Sequence, residues 1–222
     1  MEQSLTVERP GRRDAVELRR DHILSAAERC FVRGGFHRST MQDVAAEAHM
    51  SAGNVYRYFE SKDAIVAGLV ARERADVAKD FETLASEDML GSFAALMRRQ
   101  VVESGRDKAA LWLEICTEAA RNPTVQAVVL TYEAEICDRL AGFFDMLIAA
   151  RAGQRTTDHG LAQRLAGTVL SFLSGIMVSQ AMQLKPNEAE RQIGELLAIV
   201  DAAVGGALRL EAPRSNRTSD VA

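Results

Sequence analysis

Asn54 and Arg57 stand three positions apart in the run of residues 39–63, STMQDVAAEAHMSAGNVYRYFESKD, just after Ala52 and Gly53. An asparagine suits the edge of an adenine, an arginine that of a guanine, and small residues permit close approach and methyl contact. These four are therefore candidates for reading bases. Thr40, Ser51, Tyr56, Tyr58 and Lys62 offer hydroxyl or ammonium donors close to helix starts or on an outward face. Such donors grip phosphates and fix the register of a protein on a duplex. Plainer roles compete at some positions: Val55 and Phe59 read as core, Tyr58 as core or contact, and Arg57 as contact or solvated charge. Catalytic chemistry has no comparable signal. No nucleophile elbow, phosphate-cradling glycine loop or pair of catalytic carboxylates in a strand context is present. The four histidines lack metal-ligand spacing. Neither a metal nor a cofactor is expected, and an all-helical enzyme is the weakest of the alternatives.

The run must fold as two short helices to present those side chains. Apolar or small residues recur at 41, 44, 45 and 48, and again at 52, 55, 56 and 59, both with helical period. Ser39 or Thr40 can cap the first helix and Ser51 the second. Ala48, His49 and Met50 leave room only for a tight turn, which makes the helices cross steeply. That is the helix-turn-helix geometry, in which the second helix enters a DNA major groove.

The same residues resemble the N-terminal domain of the tetracycline-repressor (TetR) family of transcriptional regulators. The resemblance rests on Gly35-Phe36, Thr40, the helix of residues 43–48, then Ser51, Ala52, Gly53, Asn54, Val55, Tyr56, Arg57, Tyr58, Phe59, and finally Lys62-Asp63. It covers about 50 residues and supports Thr40, Tyr56 and Lys62 most directly as contacts. Where the family often has glycine in the turn this chain has His49, a residue type that tolerates positive φ.

The chain has 222 residues and 47% hydrophobic residues, with only four prolines and 5% aromatics. Rich in Ala, Leu, Glu and Arg, it favours helix throughout. The fold class expected is all-α: an N-terminal three-helix DNA-binding domain and a C-terminal helical domain for ligand binding and dimerisation. The net charge of -4 is unevenly spread. Residues 9–62 hold ten Lys or Arg against seven Asp or Glu, and residues 63–222 hold 17 against 22. A basic N-terminal part fits a nucleic-acid partner. Cys30, Cys116 and Cys137 form no CxxC and fit reduced thiols on helices, with redox sensing as an alternative. No apolar signal core opens the chain, so a cytoplasmic location is expected. The expected divisions are a flexible arm over 1–13, the DNA-binding domain over 14–62, the second domain over 63–210, and a disordered tail over 211–222.

Within the second domain a helix over 62–84 should link the parts. Five further helical segments follow, over 89–104, 108–122, 125–151, 158–184 and from 187 onward. Residues 165–184 run 20 positions without a charge, the length of a membrane span. Thr168, Ser171, Ser174, Ser179, Gln180 and Gln183 make the segment polar for that role, and a buried dimer-interface helix is expected instead. Gly167, Ser171, Gly175 and Ser179 would form its contact ridge, with Ile193, Leu197, Val200 and Val204 supplying the stripe of the last helix. The resemblance implies the same dimer and an enclosed effector pocket. Its candidate lining is Phe93, Met97, Trp112, Ile115, Cys116, Phe143, Phe144, Met146 and Phe172, for which ordinary core packing is the plain alternative. Glu114 and Glu118, one turn apart, could face a cationic ligand or lie in solvent. The function expected is a repressor released from a palindromic operator on double-stranded DNA by a small hydrophobic or aromatic effector, in control of efflux or detoxification genes. The main alternative is a ligand-independent architectural DNA-binding protein.

Overall fold

The computed structural model describes residues 12–84, 87–152, 159–183 and 188–211. The described residues are helical and contain no strand. The order is α1 (Arg12–Gly34), α2 (Met41–Glu47), α3 (Ala52–Tyr56), α4 (Lys62–Glu82), α5 (Met89–Met97), a π-helical segment (Arg98–Glu103), α6 (Gly105–Ala119), α7 (Pro123–Ala152), α8 (His159–Ala181) and α9 (Ala189–Glu211). The arm and tail expected from the sequence lie almost wholly outside the described residues, as does the start at 187 expected for the last helix.

Two compact units divide the chain. One holds the described residues up to Asp76 together with Ala110–Leu130, and the other holds Val77–Ala109 and the described residues from Thr131 onward. The first unit thus extends past the 14–62 span read from the sequence. Its α4 stays on α1 well beyond Lys62: a Cβ on Gly68 would come within 2.9 Å of Leu24 Cδ2 and of Phe59 Cε1, and Arg72 donates to Glu28 Oε2 at 2.7 Å and to Ser25 Oγ at 3.2 Å. Gly68→Ala should accordingly destabilise this unit by about 1–3 kcal/mol through overpacking against a rigid ring; the midpoint of chemical denaturation checks it.

Local chemistry explains where these helices begin and end. Gly35, at φ +81, ends α1 in the left-handed region that glycine enters without strain, and its amide donates to Phe31 O at 2.9 Å. Ser61 Oγ accepts from the Ala64 amide at 3.1 Å and so caps α4. Between α6 and α7, Asn122 Oδ1 accepts from the amides of Thr124 and Val125 at 3.1 and 3.4 Å. Pro123 stops one helix and, lacking an amide hydrogen, starts the next at its first position.

The core of the first unit is made by Ile23, Ala27, Cys30 and Phe31 of α1, joined by Phe36, Val44, Ala45, Val55, Phe59, Ile65, Val66 and Leu69, all buried. In the second unit Phe93, Phe143 and Phe144 pack on one another, with Phe93 and Phe143 stacked at 4.8 Å between centroids and Phe144 edge-on to both. Leu96, Met97, Leu140, Leu147, Val169, Ile193, Leu196 and Val200 surround them. One expectation about this unit changes. Ile193, Val200 and Val204 are buried inside it, at 2, 1 and 0% exposure, so they are not available to a second copy. The unit's own core needed the apolar stripe of α9. On α8, Leu165, Ala166, Val169 and Ile176 face the core, while Thr168, Ser171, Ser174, Gly175 and Val178 are exposed in the single chain, the side on which a second copy is expected.

Candidate nucleic-acid interface

Thr40 and Asp43 form a reciprocal cap on α2. The Asp43 amide donates to Thr40 Oγ1 at 3.1 Å, and the Thr40 amide donates to Asp43 Oδ2 at 2.8 Å. This satisfies two amide donors at the helix start. Bonds from the Thr40 hydroxyl and amide hold the Asp43 carboxyl below the usual carboxylate range. At the other end of α2, the His49 amide donates to Ala46 O at 3.0 Å and the Met50 amide to Ala45 O at 2.8 Å. The two bonds make a Schellman ending with His49 in its left-handed position, at φ +53. A side chain there carries strain that glycine avoids. His49→Gly should therefore stabilise the unit by about 1 kcal/mol, read as a rise in its thermal midpoint.

Ser51 then caps α3, its Oγ accepting from the Asn54 amide at 3.3 Å. The helix has only five residues. Val55 points inward and is fully buried, which turns the remaining side chains outward. Ser51, Gly53, Tyr56 and Arg57 are exposed together with Thr40, while Ala52, Asn54 and Tyr58 are half-buried. Nothing lies within 4 Å of the place a Gly53 Cβ would occupy, so that point of the surface is open to an incoming backbone.

Behind this face α1 acts as a brace, through side-chain partners that the sequence did not reveal. Arg20 places its guanidinium carbon 4.3 Å from the centroid of the Phe59 ring and donates from Nη1 to Tyr58 O at 2.8 Å. The His22 ring donates from Nε2 to Ala48 O at 2.8 Å, at the end of α2. Arg29 and Arg33 both reach Glu47, at 2.7 and 2.9 Å, and these bonds hold its carboxyl below its ordinary range. Burial, followed by the charge of Glu47, pushes the Cys30 thiol up; a protonated buried thiol is inert toward oxidants. Among the described residues no group of three His, Cys, Asp or Glu could hold a metal ion.

Lys62 is placed differently from the other phosphate candidates. Its Nζ donates to Phe36 O at 2.7 Å and sits 4.3 Å from the centroid of the Phe36 ring. The ammonium thus ties the start of α4 to the corner between α1 and α2, and an ammonium has two further donors to offer.

The capped pair of helices, with its polar outward face and apolar inward face, lies within residues 23–69, which match the family model of bacterial regulatory proteins, tetR family. Those residues are a TetR-type N-terminal domain. Among TetR-like relatives, the "HTH-type transcriptional regulator UidR" of Escherichia coli (strain K12) is 28% identical over 126 residues, 55% of this chain. The chain covers 62% of that relative's length. The "HTH-type transcriptional repressor Rv1474c" of Mycobacterium tuberculosis is 25% identical over 192 residues, 86% of this chain and 95% of its own. A solved structure described as a SmeT–triclosan complex superimposes with a TM-score of 0.67 at 24% identity, covering 84% of this chain and 91% of that one.

The residues expected to line a TetR-type effector pocket fall into both units. Phe93, Met97, Phe143 and Phe144 are buried together in the second unit, and Phe172 is half-buried against the same core. Trp112, Ile115 and Cys116 belong to the first unit, where Ile115 is buried and the other two are half-buried. Met146 is 58% exposed. Its neighbours Phe143, Phe144, Leu147 and Ile148 hold the buried face of α7, and helical phase turns residue 146 away from them. Glu114 and Glu118 point into the first unit, toward the corner at Gly35–His37.

Proposed function

We propose that this protein is a homodimeric one-component transcription regulator, not an enzyme, that represses genes from a two-fold symmetric operator and is released by a small hydrophobic or aromatic effector. The observation that carries this reading is the doubly capped helix pair α2–α3, braced from behind and presenting Thr40, Ser51, Gly53, Tyr56 and Arg57 to the outside. In a dimer two such faces meet successive major grooves, roughly 34 Å or a multiple apart. Ser51, Tyr56 and Thr40 grip phosphates, and Ala52, Gly53, Asn54 and Arg57 face base edges. The name of the mycobacterial relative supports repression, and the triclosan complex of SmeT supports an apolar effector.

The dimer surface belongs to the open side of α8 and α9. Thr168, Ser171 and Ser174 donate their hydroxyls to the carbonyls of Arg164, Gly167 and Leu170, each at 2.8 or 2.9 Å. Hydroxyls satisfied within their own helix lose little when water is removed. Gly175 leaves room beside them, and Val178 of α8, Met182 in the turn after it and Ile199 of α9 are large exposed apolar side chains. The span Gly160–Ala181 is long and apolar enough to cross a membrane by length and composition. Its inward face is part of a packed core, which supports a cytoplasmic regulator over a membrane span.

The test is fluorescence anisotropy of the purified protein titrated onto the DNA flanking its own gene, against shuffled DNA of equal length, at two salt concentrations. Tight, salt-dependent preference for the native DNA supports a regulator. Equal weak binding to both would replace it with a non-specific architectural protein.

A further inference from the structure

Phe36 lies four residues before Thr40 and is gripped from three helices of the first unit. Its amide donates to Glu114 Oε2 of α6 at 2.9 Å. Its carbonyl accepts from Lys62 of α4, and its ring packs edge-on against Phe31 of α1, 5.2 Å between centroids. The Glu114 carboxylate also lies against Gly35, 3.5 Å from where a Cβ would stand. One turn further along α6, Glu118 is 6% exposed. Its Oε1 accepts from Asn122 Nδ2 at 3.1 Å, and Asn122 also donates to Asp63 Oδ2 of α4 at 3.1 Å. Its Oε2 stands 3.1 Å from His37 Nε2, without the alignment of a hydrogen bond.

Plain packing does not call for this arrangement. Burying a carboxylate is unfavourable unless its surroundings compensate, yet among the described residues Glu118 is the charged side chain that the structure buries. Glu114 supplies an acceptor to an amide in a turn whose other bonds run elsewhere: Gly35 donates to Phe31 O and Ser39 to Gly35 O. Two acids on successive turns of one helix therefore face three consecutive residues that lead into α2.

We infer that Glu114 and Glu118 are positioning residues through which α6 sets the Gly35–Phe36–His37 corner, and with it the start of α2, so that a shift of α6 reaches the reading helices directly and not only along α4. This rests on the DNA-binding role proposed above. The first residues of α6, up to Ala109, belong to the second unit and the remainder to the first. A helix moves as a rigid rod, and a 2.9 Å hydrogen bond weakens steeply once its ends separate by about 1 Å.

The test uses the full chain as wild type, Glu114→Ala, Glu114→Gln and Glu118→Ala, with helix content checked by circular dichroism. Amide exchange is followed by NMR at Phe36, with Met50 as the internal reference, and anisotropy is measured on native and shuffled DNA. Glu114→Ala should speed exchange at Phe36 about tenfold relative to Met50, the loss expected when a buried donor is orphaned. It should also reduce the preference for native DNA several-fold. Glu114→Gln keeps a carbonyl acceptor and should restore both readouts to within about threefold of wild type. Glu118→Ala should reduce the native preference in the same direction. Unchanged relative exchange at Phe36 in Glu114→Ala, or equal damage from Ala and Gln, overturns the inference. If wild type itself shows no preference for native DNA, the regulatory reading fails, and exchange at Phe36 alone decides whether α6 holds the corner.

Discussion

Phe59→Ala is expected to destabilise the first unit by about 3–5 kcal/mol, enough to unfold its helix-turn-helix under conditions where wild type is folded. Phe59 is 2% exposed and is held at three points. Arg20 lies over its face at 4.3 Å from the centroid, the backbone of Gly68 approaches its edge, and its amide donates to Val55 O at 3.0 Å, closing the turn after α3. Truncation leaves a cavity at the point where α1, α3 and α4 converge, and it strips Arg20 of an aromatic partner worth about 0.5–1 kcal/mol. Urea denaturation followed by circular dichroism reads the loss. A drop below about 1 kcal/mol would mean that the three helices close the gap by collapsing on it.

Arg57→Ala is the second large effect, and it falls on recognition with stability left nearly intact. Arg57 is exposed at the end of α3, beside the exposed Tyr56 and the open surface at Gly53. Removing a side chain that pairs with a guanine should cost about 1–3 kcal/mol of discrimination, about tenfold or more, at one operator position. Binding to shuffled DNA should hardly change. Titration against a set of singly substituted operators checks it. Uniform weakening across the set, with a salt slope lowered by about one unit, would mark Arg57 as a phosphate ligand instead. Lys62→Ala offers the contrast. One donor of its ammonium is engaged by Phe36 O, so lost stability of the corner is expected along with any change in salt slope.

What the sequence determined by itself is the chemistry that acts over a few residues. Thr40, Ser51 and Ser61 cap the helices that follow them because a short hydroxyl reaches an amide three positions on, whatever surrounds it. The left-handed turn at His49 and the glycine stop at Gly35 are of the same kind, as is the inward set of Val55 and Phe59. Period and cap were enough for an all-helical chain and for a candidate DNA-reading face. Only the tertiary structure decided whom each face meets. An apolar stripe such as Ile193, Val200 and Val204 states that α9 must bury one side, but the same spacing serves a neighbouring helix or a second copy. Acids one turn apart read as solvated until a partner 78 residues away in the chain, the Phe36 amide, claims one of them. Arg20, Arg29 and Lys62 likewise carry no local mark of the carbonyl, carboxylate or ring they meet. Long-range partners are chosen by packing geometry, which no window of neighbouring residues contains.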